Sequence, residues 1–553
     1  MPDSRPVQDA EYYLLEDQHR DEWAAEDQDL DGRLAALRDK HGTPPNIIHI
    51  MWDDTAFGDI GIDALDAIRG FDTPNLNRMR DEGIMFTRMC TEPACTPSRS
   101  AVITGRHPTR FGMGVVDWPL IFGGISGEEV TTADVLSEEG YSTAFYAKWH
   151  LGDIEESYPH NQGFDETLFL PYNQVSSIWS AQGDAVNASP GVAPGVRPES
   201  EYDLDEHGLR PDGFVLAMEG EKDGFTREFG LPDGETYMKI DNECEKRLMD
   251  FVGRNAAEEK PFFASYWPNL TSFIPTPQKT TINSGMLADG LKRLDGFIGE
   301  LMDKLEELGI AENTMLVCMA DNGPMIHGAP GLLGMSETIF RGGKGDFLEG
   351  GVRVPGFAWW PGAIKPGQIV NDMIHETDLF TTFARLGGAT EHIPTDRVID
   401  GIDQTALLLN GDSHGRRDYS FIYTGDTLAA TVKGRYKRHW LVSEGADTGV
   451  SAAFYDLVLD PRETKPQLIP LIWQSGQWDR MLARHELWKE KYPNRPKARG
   501  IPFTGIDNAR PETLAINERF ERLRENLPFD PLEFLRFSMP ESMKVTQRTD
   551  GID

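Results

Sequence analysis

Residues 287–322 read LADGLKRLDGFIGELMDKLEELGIAENTMLVCMADN. Leu291, Leu294, Phe297, Ile298, Leu301, Met302, Leu305 and Leu308 recur at spacings that place them on one face of a helix. Gly309 stops that helix, and Thr314–Ala320 follows as an apolar run of strand length that breaks at Asp321-Asn322. The same grammar recurs upstream. Asn46–Trp52 (NIIHIMW) is an apolar run ending in Asp53-Asp54, and Asn75–Glu82 reads as a short helix closed by Gly83. Thr132 caps a helix that runs to Glu139 and stops at Gly140, and the strand Tyr141–Ala147 follows. Strands alternating with amphipathic helices predict an α/β fold, a doubly wound and mostly parallel sheet flanked by helices.

Outside this alternation the composition shifts. Residues 1–44 are highly charged and read as a helical arm outside the main core, and 45–415 carry the main α/β pattern. Within 416–500 the short runs SFIYTG, AATVKG, YKRHWLVS and AFYDLVL are split by Gly and Asp, which predicts a smaller C-terminal antiparallel sheet within an α+β subdomain. Residues 501–553 form a weakly apolar tail, rich in Pro and charge, with one helical stretch near Glu512–Asn526. Long arms at both ends are expected to wrap a domain or a partner subunit, in a homo-oligomer.

Composition bounds the function. Hydrophobic residues make up 39% of the 553 and charged residues 26%, a globular balance. The net charge is −36, from 54 basic and 90 acidic side chains, which argues against binding nucleic acid or an anionic membrane. It also sets a puzzle, because the global field would repel an anionic substrate. Four cysteines are too few for a disulfide scaffold. The start shows no signal-peptide pattern, and no run approaches the ~18–20 apolar residues of a membrane span, so a cytoplasmic protein with no membrane partner is expected.

The chemistry gathers at strand ends. Asp53-Asp54 follow the first strand, Lys148 and His150 the second, and Asp321-Asn322 the third. In open α/β sheets, sites form at the carboxyl ends of strands. Read singly, each pair also fits a turn, a cap or a packed histidine. Read together, three carboxylates and an amide oxygen make an oxygen-only site suited to Ca²⁺ or Mg²⁺ and not to zinc. Residues 93–110, PACTPSRSAVITGRHPTR, add a thiol. Thr96 is a good N-cap and Pro97 a favoured first helical residue, so Cys95 is expected just before a helix N-terminus, where an anion is favoured. Such a thiol reads as a nucleophile, whereas Cys90, Cys244 and Cys318 read as buried structural thiols.

At this point the residues resemble a family. Cys95-Thr96-Pro97-Ser98-Arg99, with Thr104-Gly105-Arg106 downstream, is similar to the sulfatase signature. Asp53-Asp54, Ala147-Lys148-Trp149-His150-Leu151-Gly152, Asp321-Asn322-Gly323, Arg341-Gly342-Gly343-Lys344-Gly345 and Glu349-Gly350-Gly351-Val352-Arg353-Val354-Pro355 keep the family's order. The match spans roughly Pro45 to Gly411, with a looser echo at Phe454-Tyr455-Asp456-Leu457. The resemblance implies an alkaline phosphatase-like fold and an arylsulfatase-like sulfuric ester hydrolase acting on aryl or hydrophobic sulfate esters.

In that family a maturation enzyme converts the signature cysteine to Cα-formylglycine, so Cys95 is the implied site. One hydroxyl of the hydrated aldehyde attacks sulfur, and loss of a proton from the other expels sulfate. The resemblance assigns a divalent metal, Ca²⁺ first with Mg²⁺ or Mn²⁺ as alternatives, to Asp53, Asp54, Asp321, Asn322 and the modified Cys95. It makes Arg99 the orienting residue, Lys148 and Lys344 sulfate contacts, and His150 the base. One departure stands out. Many sulfatases carry a further histidine after the run equivalent to Pro261–Trp267. This chain reads Asn269-Leu270-Thr271-Ser272-Phe273-Ile274-Pro275-Thr276-Pro277 there, with no histidine between His207 and His327. Lys148, an activated leaving group, His327 and His375 stand as alternatives for leaving-group protonation.

Other readings remain at this stage. The same site chemistry serves phosphonate monoester and phosphodiester hydrolases, although Asn322 stands where that group commonly has a ligating histidine. A non-catalytic binder of sulfated ligands and an enzyme using the unmodified thiolate are the others. Pocket walls are expected from 112–126, 171–236 and 327–340. Their aromatics Trp118, Phe122, Tyr172, Trp179 and Phe225 suit either an aryl group or packing.

Overall fold

The strands Asn46–Trp52, Ser142–Lys148 and Thr314–Ala320 are buried along their whole length, the pattern of a sheet covered on both faces. In the computed structural model, which describes residues 5–69, 72–117, 122–174, 215–269, 285–326, 338–441 and 453–526, they lie in one 11-stranded sheet. Its order is Gln368–Val370, Ile84–Cys90, Arg353–Trp359, Thr314–Ala320, Asn46–Trp52, Phe262–Trp267, Ser142–Lys148, Glu166–Leu170, Met218–Glu221 and Thr226–Glu228, with Ile374–His375 pairing beside Ile84–Cys90. The run from Thr314–Ala320 to Glu166–Leu170 is parallel throughout. Arg353–Trp359 is antiparallel to both its neighbours, and the far edge ends in an antiparallel meander. The sheet is therefore mixed and mostly parallel.

Two helix groups cover it. Gly285–Glu307 packs with Pro74–Glu82, and Thr377–Gly387 packs with Cys95–Thr104 and Thr132–Ser137. The predicted stripe is the buried face of the first: Leu291, Leu294, Phe297, Ile298, Leu301, Met302 and Leu305 are all in the core. The cap before Ser137 sits one residue earlier than expected. Thr131 accepts from Asp134 N and Asp134 reaches back to Thr131 N, a capping box. The smaller antiparallel sheet stands as predicted, ordered Tyr419–Thr424, Thr427–Lys433, Tyr436–His439 and Phe454–Asp456. No helix among the described residues is long and apolar enough to cross a membrane.

One expectation is corrected. The N-terminal helix Ala10–His41 does not stand outside the main core, because Leu30 is fully buried in it and Leu34 and Leu37 pack against it. Its N-cap, Asp9, is itself buried, taking hydrogen bonds from His485 Nδ1 at 2.7 Å and Arg110 Nη2 at 3.3 Å. The C-terminal region also holds a second long helix, Leu468–Lys491, ahead of the expected Pro511–Asn526. Its contacts explain it. His485 stacks on Phe421 at 3.8 Å, and Trp478 meets Phe454 edge-on at 5.3 Å. Sequence periodicity misses a helix whose buried side is built from such mixed rings.

Candidate active site

Register brings the strand ends together. Ala320 lies beside Trp52 in parallel strands, so Asp321 and Asp53 leave the sheet at the same height. Trp267 lies beside Ala147, which sets Lys148 at that level two strands away. Asp53, Asp54, Cys95 and Asp321 are all buried, and each offers a ligand atom within 4.8 Å of the others. Three residues that are not glycine take left-handed backbone here: Asp54 with φ 48°, Ala147 with φ 79° and His150 with φ 58°. Such conformations are strained and persist where surrounding structure enforces them.

Arg99 ties the carboxylates. Its Nη2 donates to Asp53 Oδ1 at 3.1 Å and Asp321 Oδ2 at 2.8 Å, and its Nη1 donates to the Lys148 carbonyl at 3.0 Å. The guanidinium lies 5.1 Å from the centre of the Trp267 ring, a cation–π contact with no solvent exposure on either residue. Lys148 Nζ donates to Asp53 and, at 3.2 Å, to Gln174 Oε1. Lys344 Nζ donates to both Asp54 oxygens, at 2.8 and 3.1 Å, and to Cys95 Sγ at 2.7 Å. The structure thus brings together every residue expected in the site except His150, which stands one step back with its own connections.

The helix Cys95–Thr104 begins two residues earlier than the sequence implied. Ala94 is the extended N-cap, Ser98 N donates to Ala94 O at 2.9 Å, and Cys95 is the first helical residue. Thr96 is not the cap, because its hydroxyl accepts from Asp117 N at 3.0 Å. Asp117 in turn supplies the carbonyl that His150 Nε2 meets at 2.7 Å. A carbonyl can only accept, so Nε2 carries the proton and Nδ1 keeps its lone pair. Nδ1 is buried with no hydrogen-bond partner among the described residues. Burial first, and then Lys148, hold the imidazole well below its usual range, so it is neutral near pH 7.

The electrostatics are those of crowded carboxylates. Burial alone would raise Asp53, but Lys148, Arg99 and Lys344 hold it below the usual carboxylate range. Asp321 is pushed up to about 6, by burial and then by Asp53. Burial would lower Lys344, but Asp54 and then Cys95 hold it well above its usual value. Burial pushes the Cys95 thiol up to about 12. The set fits a hard divalent cation. Its donors are oxygens apart from position 95, its carboxylates repel one another, and Asn322 Oδ1 is buried without a hydrogen-bond partner among the described residues while its Nδ2 donates to Asp54 Oδ1 at 2.7 Å.

Sequence reasoning missed Gln174, which donates to Asp53 Oδ2 and accepts from Lys148. It lies just past the end of Glu166–Leu170, so the strand-end rule applied to that strand would have reached it. Asp117 acts through its backbone, which carries no residue-type signal. Cys90, Cys244 and Cys318 are buried free thiols, as expected. Of the proposed wall aromatics, Phe122 packs on Phe520 at 4.3 Å, the Tyr172 hydroxyl donates to Asp153 at 3.0 Å, and Phe225 lies under Arg227. Trp118, Trp179, His327 and the segment from Leu270 to Pro277 lie outside the described residues. His375 is buried beside His107, with Nδ1 2.9 Å from Thr377 Oγ1.

Comparison with known proteins agrees with this geometry. The family model described as Sulfatase matches residues 45–389. The N-acetylgalactosamine-6-sulfatase of Canis lupus familiaris is 33% identical over 416 residues, covering 72% of each chain. Arylsulfatase A of Homo sapiens is 33% identical over 450 residues, covering 76% of this chain and 82% of its own. Among solved structures, the PsFucS1 sulfatase from Pseudoalteromonas sp. superposes with a TM-score of 0.74 at 30% identity, over 86% of this chain and 96% of that one.

Proposed function

The chain belongs to the sulfatase family and is a sulfuric ester hydrolase, and from that premise we propose that it cleaves sulfate monoesters of sugars, or of aryl alcohols, with a formylglycine made from Cys95 and a divalent metal. One observation carries the reading: Cys95 opens a buried helix with Sγ 2.7 Å from Lys344 Nζ, inside a pocket of three carboxylates. When present, the metal supplies charge neutralisation and the aldehyde hydrate supplies the attacking hydroxyl. Asp53, Asp54, Asp321 and Asn322 would hold the metal, with Ca²⁺ favoured by the oxygen donors.

The chain's own residues then divide the work. Arg99 fixes Asp53 and Asp321 in place. Lys344 and Lys148 bind the sulfate oxygens, and Lys148, the only cation of the three on a strand end, also supports the leaving oxygen. His150 accepts a proton at Nδ1, the atom its tautomer leaves bare. Burial of Arg99, Lys148 and His150 excludes water and strengthens their contacts, while Lys344 stays partly exposed. Phe122, Tyr172 and Phe225 are committed to packing, which removes their support for an aryl pocket. The name of the Canis lupus familiaris relative supports a sulfated amino sugar as the first substrate class to try. A formylglycine-generating enzyme is the implied maturation partner.

The test is a panel of N-acetylgalactosamine 6-sulfate, an aryl sulfate and the phenyl phosphonate ester of the same phenol. Sulfate release is expected, lost on chelation and restored by Ca²⁺ or Mg²⁺. A higher kcat/KM on the phosphonate than on both sulfates would overturn the substrate reading.

A further inference from the structure

The segment after the helix Leu468–Lys491 returns across the molecule to the active-site loop. Arg495 N donates to Arg110 O at 2.7 Å, Gly500 N donates to Phe122 O at 3.1 Å, and Ala498–Arg499 pairs antiparallel with Gly123–Gly124. The seat is close. At Gly112 the backbone is left-handed, with φ +77°, and a Cβ there would lie 2.3 Å from Lys497 N. Lys497 Nζ forms an ion pair with Asp117 Oδ1, and the two side chains are 10% and 3% exposed. Asp117 is the residue whose N–H holds Thr96, next to Cys95, and whose carbonyl holds His150. Among the described residues no sheet ladder orients that carbonyl, so its direction depends on what grips the rest of the residue.

We propose that Lys497 is a positioning residue for the hydrolysis. By clamping Asp117 it aims the carbonyl that keeps the proton of His150 on Nε2, and so keeps Nδ1 bare toward the site. The C-terminal strap is then part of the catalytic assembly. A misdirected carbonyl would let the imidazole exchange tautomers and lose half of its proton-accepting population at Nδ1, or more. The inference rests on the reading of His150 as the base.

The full-length protein, labelled with ¹⁵N-histidine, reports the ring directly, and loss of a signal in His150→Asn identifies it. In the wild type His150 should show a protonated Nε2 and a bare Nδ1 at neutral pH. Lys497→Met should average the two nitrogens and lower kcat about twofold or more with little change in KM. Asp117→Asn keeps the carbonyl and the side-chain shape while removing the ion pair, and should do the same even if Lys497→Met folds poorly. Lys497→Arg should restore both signals and rate. A wild-type tautomer and wild-type kcat in Lys497→Met and Asp117→Asn, with His150→Ala slow, would overturn the inference alone. Normal turnover by His150→Ala would overturn the base reading and the inference with it.

Discussion

Arg99 shows how the site is held at the scale of one side chain. It is fully buried, with its charge divided between Asp53 and Asp321. Replacing it with Met removes this ion pair from Asp321 and leaves Asp53 to Lys148 in a dry pocket, which by analogy with other buried pairs costs ~3–5 kcal/mol. Denaturant unfolding of Arg99→Met should show that loss, and a change under about 1 kcal/mol would mean that the carboxylates are paired elsewhere. Gln174→Ala should slow turnover with a smaller loss of stability, since Asp53 keeps Arg99 and Lys148. Unchanged kcat would make Gln174 a packing residue. Asp53, Asp54, Lys148, Asp321 and Asn322 were legible because each stands at the end of an apolar run. Lys497 was not legible, because its partner Asp117 lies 380 residues away and only the folded chain joins them.

The nucleophile helix depends on how it ends. Gly105 is its C-cap, left-handed at φ 67°, and a Cβ there would lie 2.6 Å from the Phe380 ring. Gly105→Ala must strain the backbone and displace a packed ring, and should cost about 1–3 kcal/mol. A melting temperature equal to wild type would show that the helix tolerates another ending. The loop below responds to pH. Asp153 is buried, accepts from Gly123 N at 3.1 Å and from the Tyr172 hydroxyl, and is pushed up to about 7, chiefly by burial. A pKa raised in the fold contributes stability that is present at low pH and lost as pH rises through about 7. Asp153→Asn should therefore gain on the wild type between pH 5 and pH 8 in thermal melts, and parallel curves would refute the shift. The strands and the long helix Gly285–Glu307 were legible from period alone. The start of the nucleophile helix was not, because the Thr96 hydroxyl that resembles a cap is spent on Asp117.

At the scale of the molecule, the charge of −36 coexists with a pocket that carries Arg99, Lys148 and Lys344. Part of the acidity is internal, since Asp53, Asp54 and Asp321 face one another and a candidate cation. The remainder repels an anionic ester at long range, so kcat/KM should rise modestly with salt, and a steep fall would show that local attraction dominates. Described segments toward both termini are built into this body: Asp9 is bound by His485 and Arg110, and the strap carries Lys497 to Asp117. The arm's burial was hidden from sequence reading because its charged face outweighs the few apolar residues that reach the core. The proposed function requires that residue 95 work as an aldehyde. Peptide mass spectrometry across residues 93–110, on preparations matured to different extents, tests it most directly when turnover is measured on the same samples. Sulfate-ester turnover should rise in proportion to the formylglycine fraction and vanish in Cys95→Ala, whereas full turnover from protein carrying only the unmodified thiol would rule the aldehyde out.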